Sequence, residues 1–229
     1  MTRHEWPIVL LSLKVALCST LALLVPATAC AWLLAKHRFP GKIILECLIN
    51  LPLVMPPIVT GYVLLILLGR RGVFGAWLYD SFGIRLAFTW GGAAIASMAV
   101  AAPLMIRSIR LAIELVSTEL EEASRTLGVG PWRTFWRITL PLSIPGMVAG
   151  SVLAFARSLG EFGATIVFAG NIAGETQTLP LAVYSALQVP GGESETVRLV
   201  ALAAALSIGA LIASEIINRK IARRWREAT

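Results

Sequence analysis

The sequence is short of charge, histidine and paired cysteine, and each shortage removes a class of function. Charged residues make up 14% of the 229 residues, against about 25% in a soluble domain. With 57% hydrophobic residues and a mean hydropathy of +0.77, this surface could not be wetted, so the chain is an integral membrane protein. The only two histidines, His4 and His37, lie in or near polar flanks. There is no HExxH, and no Ser has an intramembrane His partner, which speaks against a membrane protease. Cys18, Cys30 and Cys47 form no CxxC and no zinc spacing, and they read as small apolar core residues. A P-loop is missing too: before the Gly41-Lys42 pair, Lys36 stands where the first Gly would be required. No metal or cofactor in this chain and no nucleic acid partner are expected.

What is there is apolar length. A bilayer core of about 30 Å needs about 20 apolar helical residues. Five segments meet or approach this, at 8–35, 43–69, 88–112, 140–169 and 199–218. The chain is expected to be all-α, one transmembrane domain over 1–229 with five spans. Ala27-Thr28-Ala29 has the look of a signal-peptide cleavage site. The apolar stretch is too long for that, and a basic loop follows it, so the segment reads as a retained span.

The net charge of +7 is explained by the positive-inside rule rather than by nucleic acid. With the N-terminus outside, the cytoplasmic pieces are 36–42, 107–137 and the tail after Asn218, which hold 13 of the 20 Lys and Arg. The outside pieces hold Arg3, Arg70, Arg71, Arg85 and Arg198. Arg70-Arg71 runs against the bias. Lys14 is expected to snorkel to the outer interface. Segments 70–87 and 171–198 read as outside loops rich in glycine and aromatics.

The largest cytoplasmic piece is 113–139, containing STELEEASRTLGVGPWRTFWRITLP over 117–141. Thr118 with Glu121 reads as a capping box, and Glu119, Glu121 and Glu122 suit a helix N-terminus. Gly128 is expected to end this helix in a left-handed cap. Pro131 can start a second helix that places Trp132, Phe135 and Trp136 on one face, with Arg133 and Arg137 on another. From these residues alone the segment could be an interfacial anchor, because Trp and Arg favour the headgroup zone.

Its spacing resembles the EAA loop of ABC-importer permeases: Glu122-Ala123-Ser124, then Gly128, Ile138 and Leu140-Pro141. Ser124 is the one departure, standing for a second Ala. Further stretches resemble the molybdate permease (ModB) branch: FPGK at 39–42, LPLVMPPIVTGYVLL at 51–65, GRRGVFG at 69–75, PLMIRSIRLA at 103–112 and FARSLGEFGATIVF at 155–168. The resemblance covers most of 6–215. It implies a type I ABC-importer permease fold and a homodimer in the cytoplasmic (inner) membrane of a prokaryote. It also implies two cytoplasmic ATPase subunits carrying ATP and Mg, a periplasmic or extracellular molybdate-binding protein, and molybdate import; tungstate or sulfate is the alternative. Glu121, Glu122, Ala123, Ser124, Gly128, Ile138, Leu140 and Pro141 would then couple to the ATPase. A channel working alone would leave the EAA loop without a purpose.

Arg157 and Glu161 lie four apart within the fourth span. A charge at the bilayer centre costs about 2.5–3.5 kcal/mol on insertion scales, so this face should point inward or to a wet cavity. The pair reads either as a structural ion pair or as the wall of an anion path, with Ser158 beside it. Small residues from Gly146 to Ala164 suit either a pore wall or close helix packing. Pro52, Pro56 and Pro57 interrupt the second span and read either as a gate or as a fixed kink.

Overall fold

The computed structural model describes the backbone of residues 5–227 and side chains up to 216, except that of Ser214. Arg3, His4 and the basic side chains of the tail lie outside the described residues. Helix α1 spans Glu5–Lys36 and α2 spans Lys42–Val54; α3 covers Pro57–Leu68 and α4 Val73–Phe82. Helix α5 covers Trp90–Glu114 and α6 Thr118–Thr126. Helix α7, Pro131–Thr134, passes through a π-turn at Phe135–Thr139 into α8, Leu140–Leu159. Three more follow: α9 at Gly163–Phe168, α10 at Leu179–Leu187 and α11 at Glu193–Glu227. No strand occurs among the described residues.

Helix α5 is the centre of the bundle. It packs against α1, α8 and α9, and Ala96, Val100, Ala101, Met105, Ile109 and Ile113 along it are buried. The α5–α8 seam is close because α8 offers no side chain where they cross. A Cβ on Gly146 would lie 2.2 Å from the Ala112 Cβ, and one on Gly150 would lie 3.1 Å from the Met105 carbonyl oxygen. Across the same seam Ser108 donates to the Gly146 carbonyl at 3.1 Å. At these two glycines the small residues serve helix packing, which is the main attractive force between helices in lipid.

Two buried threonines of α1 are satisfied within their own helix. Thr20 donates to Ala16 O at 2.7 Å and Thr28 to Leu24 O at 2.7 Å, as is needed where no water is at hand.

Among the described residues, four continuous helical stretches are long and apolar enough to span a bilayer: α1, α5, α7 through α8, and the first part of α11. The expected span at 43–69 is not one helix. The chain bends by 118° between α2 and α3, and counting them as one broken span gives five. The cause is the Pro56-Pro57 pair; Pro52, expected to interrupt the span as well, lies within the last turn of α2. Met55 takes an extended φ of −71° and ψ of 146°, because a residue before proline is pushed out of the helical region. Pro57 then starts α3, where its missing N–H is not needed.

The span expected at 140–169 is also broken, at Gly160–Phe162, between α8 and α9. The first boundary of α5 moves to Trp90 because Thr89 is its N-cap, accepting from Gly92 N at 3.0 Å. The two expected outside loops contain α4 and α10, and α11 begins at Glu193 rather than Leu199.

The opposite ends of the bundle are tied by ion pairs. Arg198, in the first turns of α11, meets the buried Glu5 at the start of α1 at 3.0 Å. At the end carrying α6, Arg110 of α5 meets Glu46 of α2 at 2.8 Å. Lys14 is not snorkelling alone, since its Nζ sits 3.6 Å from the centroid of the Trp90 ring.

Candidate coupling loop and paired membrane breaks

Helix α6 begins one residue earlier than a Thr118 cap would place it. Ser117 is the N-cap, and its hydroxyl accepts from Glu119 N at 3.2 Å. The capping box expected from Thr118 and Glu121 does not form, and the Glu121 carboxylate turns the other way. It accepts from Lys36 Nζ at 2.8 Å and from Thr139 Oγ1 at 2.6 Å. Glu121 is buried, whereas Glu122 and Ala123 beside it are exposed. Of the two adjacent acids only Glu122 is presented outward, at the head of the EAA match.

Gly128 ends α6 with a φ of +80°. Its N–H reaches Arg125 O at 2.9 Å, and the next N–H, from Val129, reaches Ser124 O at 3.1 Å. These two bonds are the Schellman arrangement, which requires a left-handed residue at this position. Gly130 then caps α7 in ordinary extended backbone, with Pro131 first in the helix. Ser124, the departure from the EAA pattern, is buried and hydrogen-bonded to Thr134 Oγ1 at 3.1 Å. The substitution thus supplies a bond between the loop's two helices that an alanine could not make.

Trp132, Phe135 and Trp136 form one aromatic cluster, with ring centroids 5.7–5.9 Å apart. Phe135 also packs on Trp32 of α1 at 5.3 Å. Trp132 and Trp136 remain more than half exposed. The second loop helix is not separate from the membrane: it continues through the π-turn into α8, so Ile138 and the Leu140-Pro141 pair lie on one continuous element. Ile138, Leu140 and Pro141 are half-buried.

The second region is inside the bundle. Pro57, which opens α3, faces Gly163, which opens α9; a Cβ on Gly163 would fall 2.8 Å from the Pro57 Cβ. Gly61 likewise lies against the Ala164 backbone. The two broken spans therefore meet at their breaks. Pro56 is exposed and Pro57 half-buried.

Arg157 Nη1 lies 2.7 Å from Glu161 Oε2, and the Glu161 side chain is 1% exposed against 31% for Arg157. Glu161 is not within a helix as the fourth-span reading had it. It sits in the break, and its Oε1 accepts from the Ala164 N–H at 2.7 Å at the start of α9. The carboxylate thus holds the second segment of the broken span while pairing with the last turn of the first. Ser158 does not face the open side: it is buried and accepts from Ser19 Oγ of α1 at 3.1 Å. Sequence reasoning missed Lys36, Thr139 and Ser19, which carry no motif; the one local signal was a Lys at the end of an apolar helix facing an acidic loop.

Residues 27–227 match the family described as binding-protein-dependent transport system inner membrane component. The chain belongs to that family. Among curated relatives, this permease is 53% identical over 219 residues to the molybdenum transport system permease protein ModB of Escherichia coli K12, covering 96% of both chains. It is 52% identical to the ModB of Haemophilus influenzae, covering 93% of both. The sulfate transport system permease protein CysT of Escherichia coli is 41% identical over 158 residues, 69% of this permease and 57% of that protein.

Among solved structures, the inward-facing MetNI methionine ABC transporter superposes with a TM-score of 0.72 at 19% identity, covering 96% of the permease and 99% of that chain. A bacterial alginate ABC transporter, solved in complex with its alginate-pentasaccharide-bound periplasmic protein, superposes at 0.76 and 14% identity over 96% of the permease. At these identities the likeness establishes the fold, which is that of an ABC-importer permease. The permease is a multi-pass inner-membrane component.

Proposed function

We propose that this permease forms the translocation pathway of an ATP-driven importer that brings molybdate into the cell. The observation that carries the substrate is the 53% identity over 96% of both chains to a molybdenum transport permease, against 41% over 69% of this chain for a sulfate permease. Tungstate and sulfate remain the competing oxyanions to test. The direct experiment is uptake of labelled molybdate by proteoliposomes holding the permease, its ATPase and its binding protein. Tungstate and sulfate serve as competitors, and uptake that sulfate abolishes at equal concentration would reassign the substrate.

The N-terminus lies outside and the C-terminus inside, which keeps the basic loop 36–42 and the α6–α7 loop on the cytoplasmic side. Two copies enclose one pathway at a two-fold axis. A bundle with a single charged, broken face cannot surround a dianion alone, and cyclic pairs are the commonest closed assembly. Each copy docks one ATPase subunit through the exposed Glu122 and Ala123 and the helix turn at Gly128. The ATPase holds ATP and Mg, and this chain performs no hydrolysis itself. The binding protein delivers its cargo at the opposite end.

Transport follows from rigidity. Movement of the docked loop passes through α7 and the π-turn into α8 without a hinge. The paired breaks at Pro56-Pro57 and Gly160–Phe162 are where α8 and α3 can change angle. Discontinuous helices facing a cavity are a recurring way to place such a gate. Arg157 gives the path a cation that Glu161 partly neutralises, so a dianion is attracted and then released. Ser158 holds the helix beside that path through Ser19.

A further inference from the structure

We infer that Glu121 is the positioning residue that latches the cytoplasmic loop to α1, so that loop, α1 and α8 move as one body. The inference rests on the coupling role proposed above and adds to it a second transmission element, α1. Both oxygens of the carboxylate are in use. Oε2 takes a hydrogen bond from Lys36, the last residue of α1, and Oε1 takes one from Thr139, the last residue of the π-turn before α8. One side chain thus joins α6 and the π-turn to α1, which is 85 residues away in sequence.

The Lys36 and Glu121 side chains are only 19% and 11% exposed. Exposed ion pairs are screened and contribute little, but bonds to a charged group sheltered from water are among the stronger ones. Glu121 does not face outward, so docking an ATPase does not account for it. A second contact runs in parallel: Phe135 packs on Trp32 one turn before Lys36. Within the loop, the Ser124–Thr134 bond keeps α6 and α7 from sliding past each other. The π-turn shifts its backbone bonds by one residue relative to the α-helices on either side. Thr139 bonded to Glu121 braces it at its final residue.

The consequence reaches far from the loop. Helix α1 has 32 residues, so it is roughly 48 Å long at 1.5 Å per residue. It carries Ser19 against Ser158, next to Arg157, and ends at Glu5 paired with Arg198 of α11. A displacement of the loop is therefore delivered along α1 to the membrane break and to the far end of the bundle, in step with α8.

The test uses the full complex in proteoliposomes, with molybdate uptake and ATP hydrolysis measured together. Glu121→Gln keeps an acceptor for Thr139 and loses the charge that holds Lys36. It should leave ATPase association at the wild-type level while uptake per ATP falls about tenfold. Lys36→Met should behave alike. The exchange Lys36→Glu with Glu121→Lys should recover most of the lost coupling, whereas each single reversal should not. Release of the ATPase by Glu121→Gln would make Glu121 a docking residue and overturn the inference, as would unchanged uptake per ATP.

A second measurement needs no substrate. Spin labels replacing Leu33 and Thr118, in a chain without Cys18, Cys30 and Cys47, report the distance between α1 and α6. That distance should stay fixed between the nucleotide-free and the ATP-trapped complex, and it should spread in Glu121→Gln. A wild-type distance that changes with nucleotide would show the loop moving independently of α1 and refute the latch. If the distance holds fixed but the wild-type complex carries no molybdate, the latch stands and the substrate assignment falls.

Discussion

Gly128→Val isolates the geometry of the cytoplasmic loop from its chemistry. The glycine has a φ of +80°, and a Cβ built on it meets no atom within 4 Å. No clash contributes, so the whole cost is the left-handed backbone, roughly 1–2 kcal/mol for an L-residue, with a β-branched side chain at the upper end. That is about a 5- to 30-fold shift in the ratio of correctly folded to misfolded loop ends. The helix-ending bonds from Gly128 N and Val129 N are lost in the shifted population, and α7 leaves its register with α6.

The permease should still insert at normal levels, because Gly128 lies outside the spans. ATPase co-purification and molybdate uptake should both drop, by up to that factor. Gly128→Asn should lose less, since Asn tolerates the left-handed region. Gly130→Ala is the control: its φ is −66° and its Cβ also meets nothing, so its activity should be that of the wild type. Equal damage from Gly130→Ala, or wild-type uptake in Gly128→Val at normal membrane level, would refute the reasoning and leave the loop as an interfacial anchor.

Glu122→Lys should abolish ATPase association by charge reversal on an exposed face while the detergent melting temperature of the isolated permease stays unchanged. Arg157→Ala leaves the buried Glu161 without its cation. It should keep the ATPase bound but destabilise the permease by about 3 kcal/mol, at the low end for a broken buried pair because Arg157 is itself 31% exposed; a thermal shift assay alongside uptake checks both parts. Gly146→Leu forces a side chain into the Ala112 contact and should cost about 1–3 kcal/mol, whereas Gly209→Leu, with nothing within 4 Å of its Cβ, should cost nothing measurable in the same melt. Cysteines placed at 220–229 should be labelled only by reagents that reach the cytoplasmic side, and labelling from outside alone would reverse the proposed topology.

Membrane class, the all-helical fold and the helix end at Gly128 were legible in the residues, because each rests on a local or additive property. Apolar length adds up along the chain, proline removes a donor wherever it stands, and a glycine after a capped helix signals a left-handed turn. The EAA spacing was legible for the same reason, as a pattern along one segment.

The facing of adjacent acids was not. Glu121 and Glu122 differ by one residue, about 100° around the helix, and either could have pointed to the ATPase. Only the arrival of Lys36 from α1 and Thr139 from the π-turn turned Glu121 inward. The small residues of α8 could have lined a pore or a seam, and the position of α5 assigned Gly146 and Gly150 to the seam. Pro57 and Gly163 each marked a break, but their meeting depends on α3 lying against α9. Burial and pairing are relations between distant segments. Residues within one helix fix the angles at which side chains leave it, and the neighbouring helices decide which of those angles points into the protein.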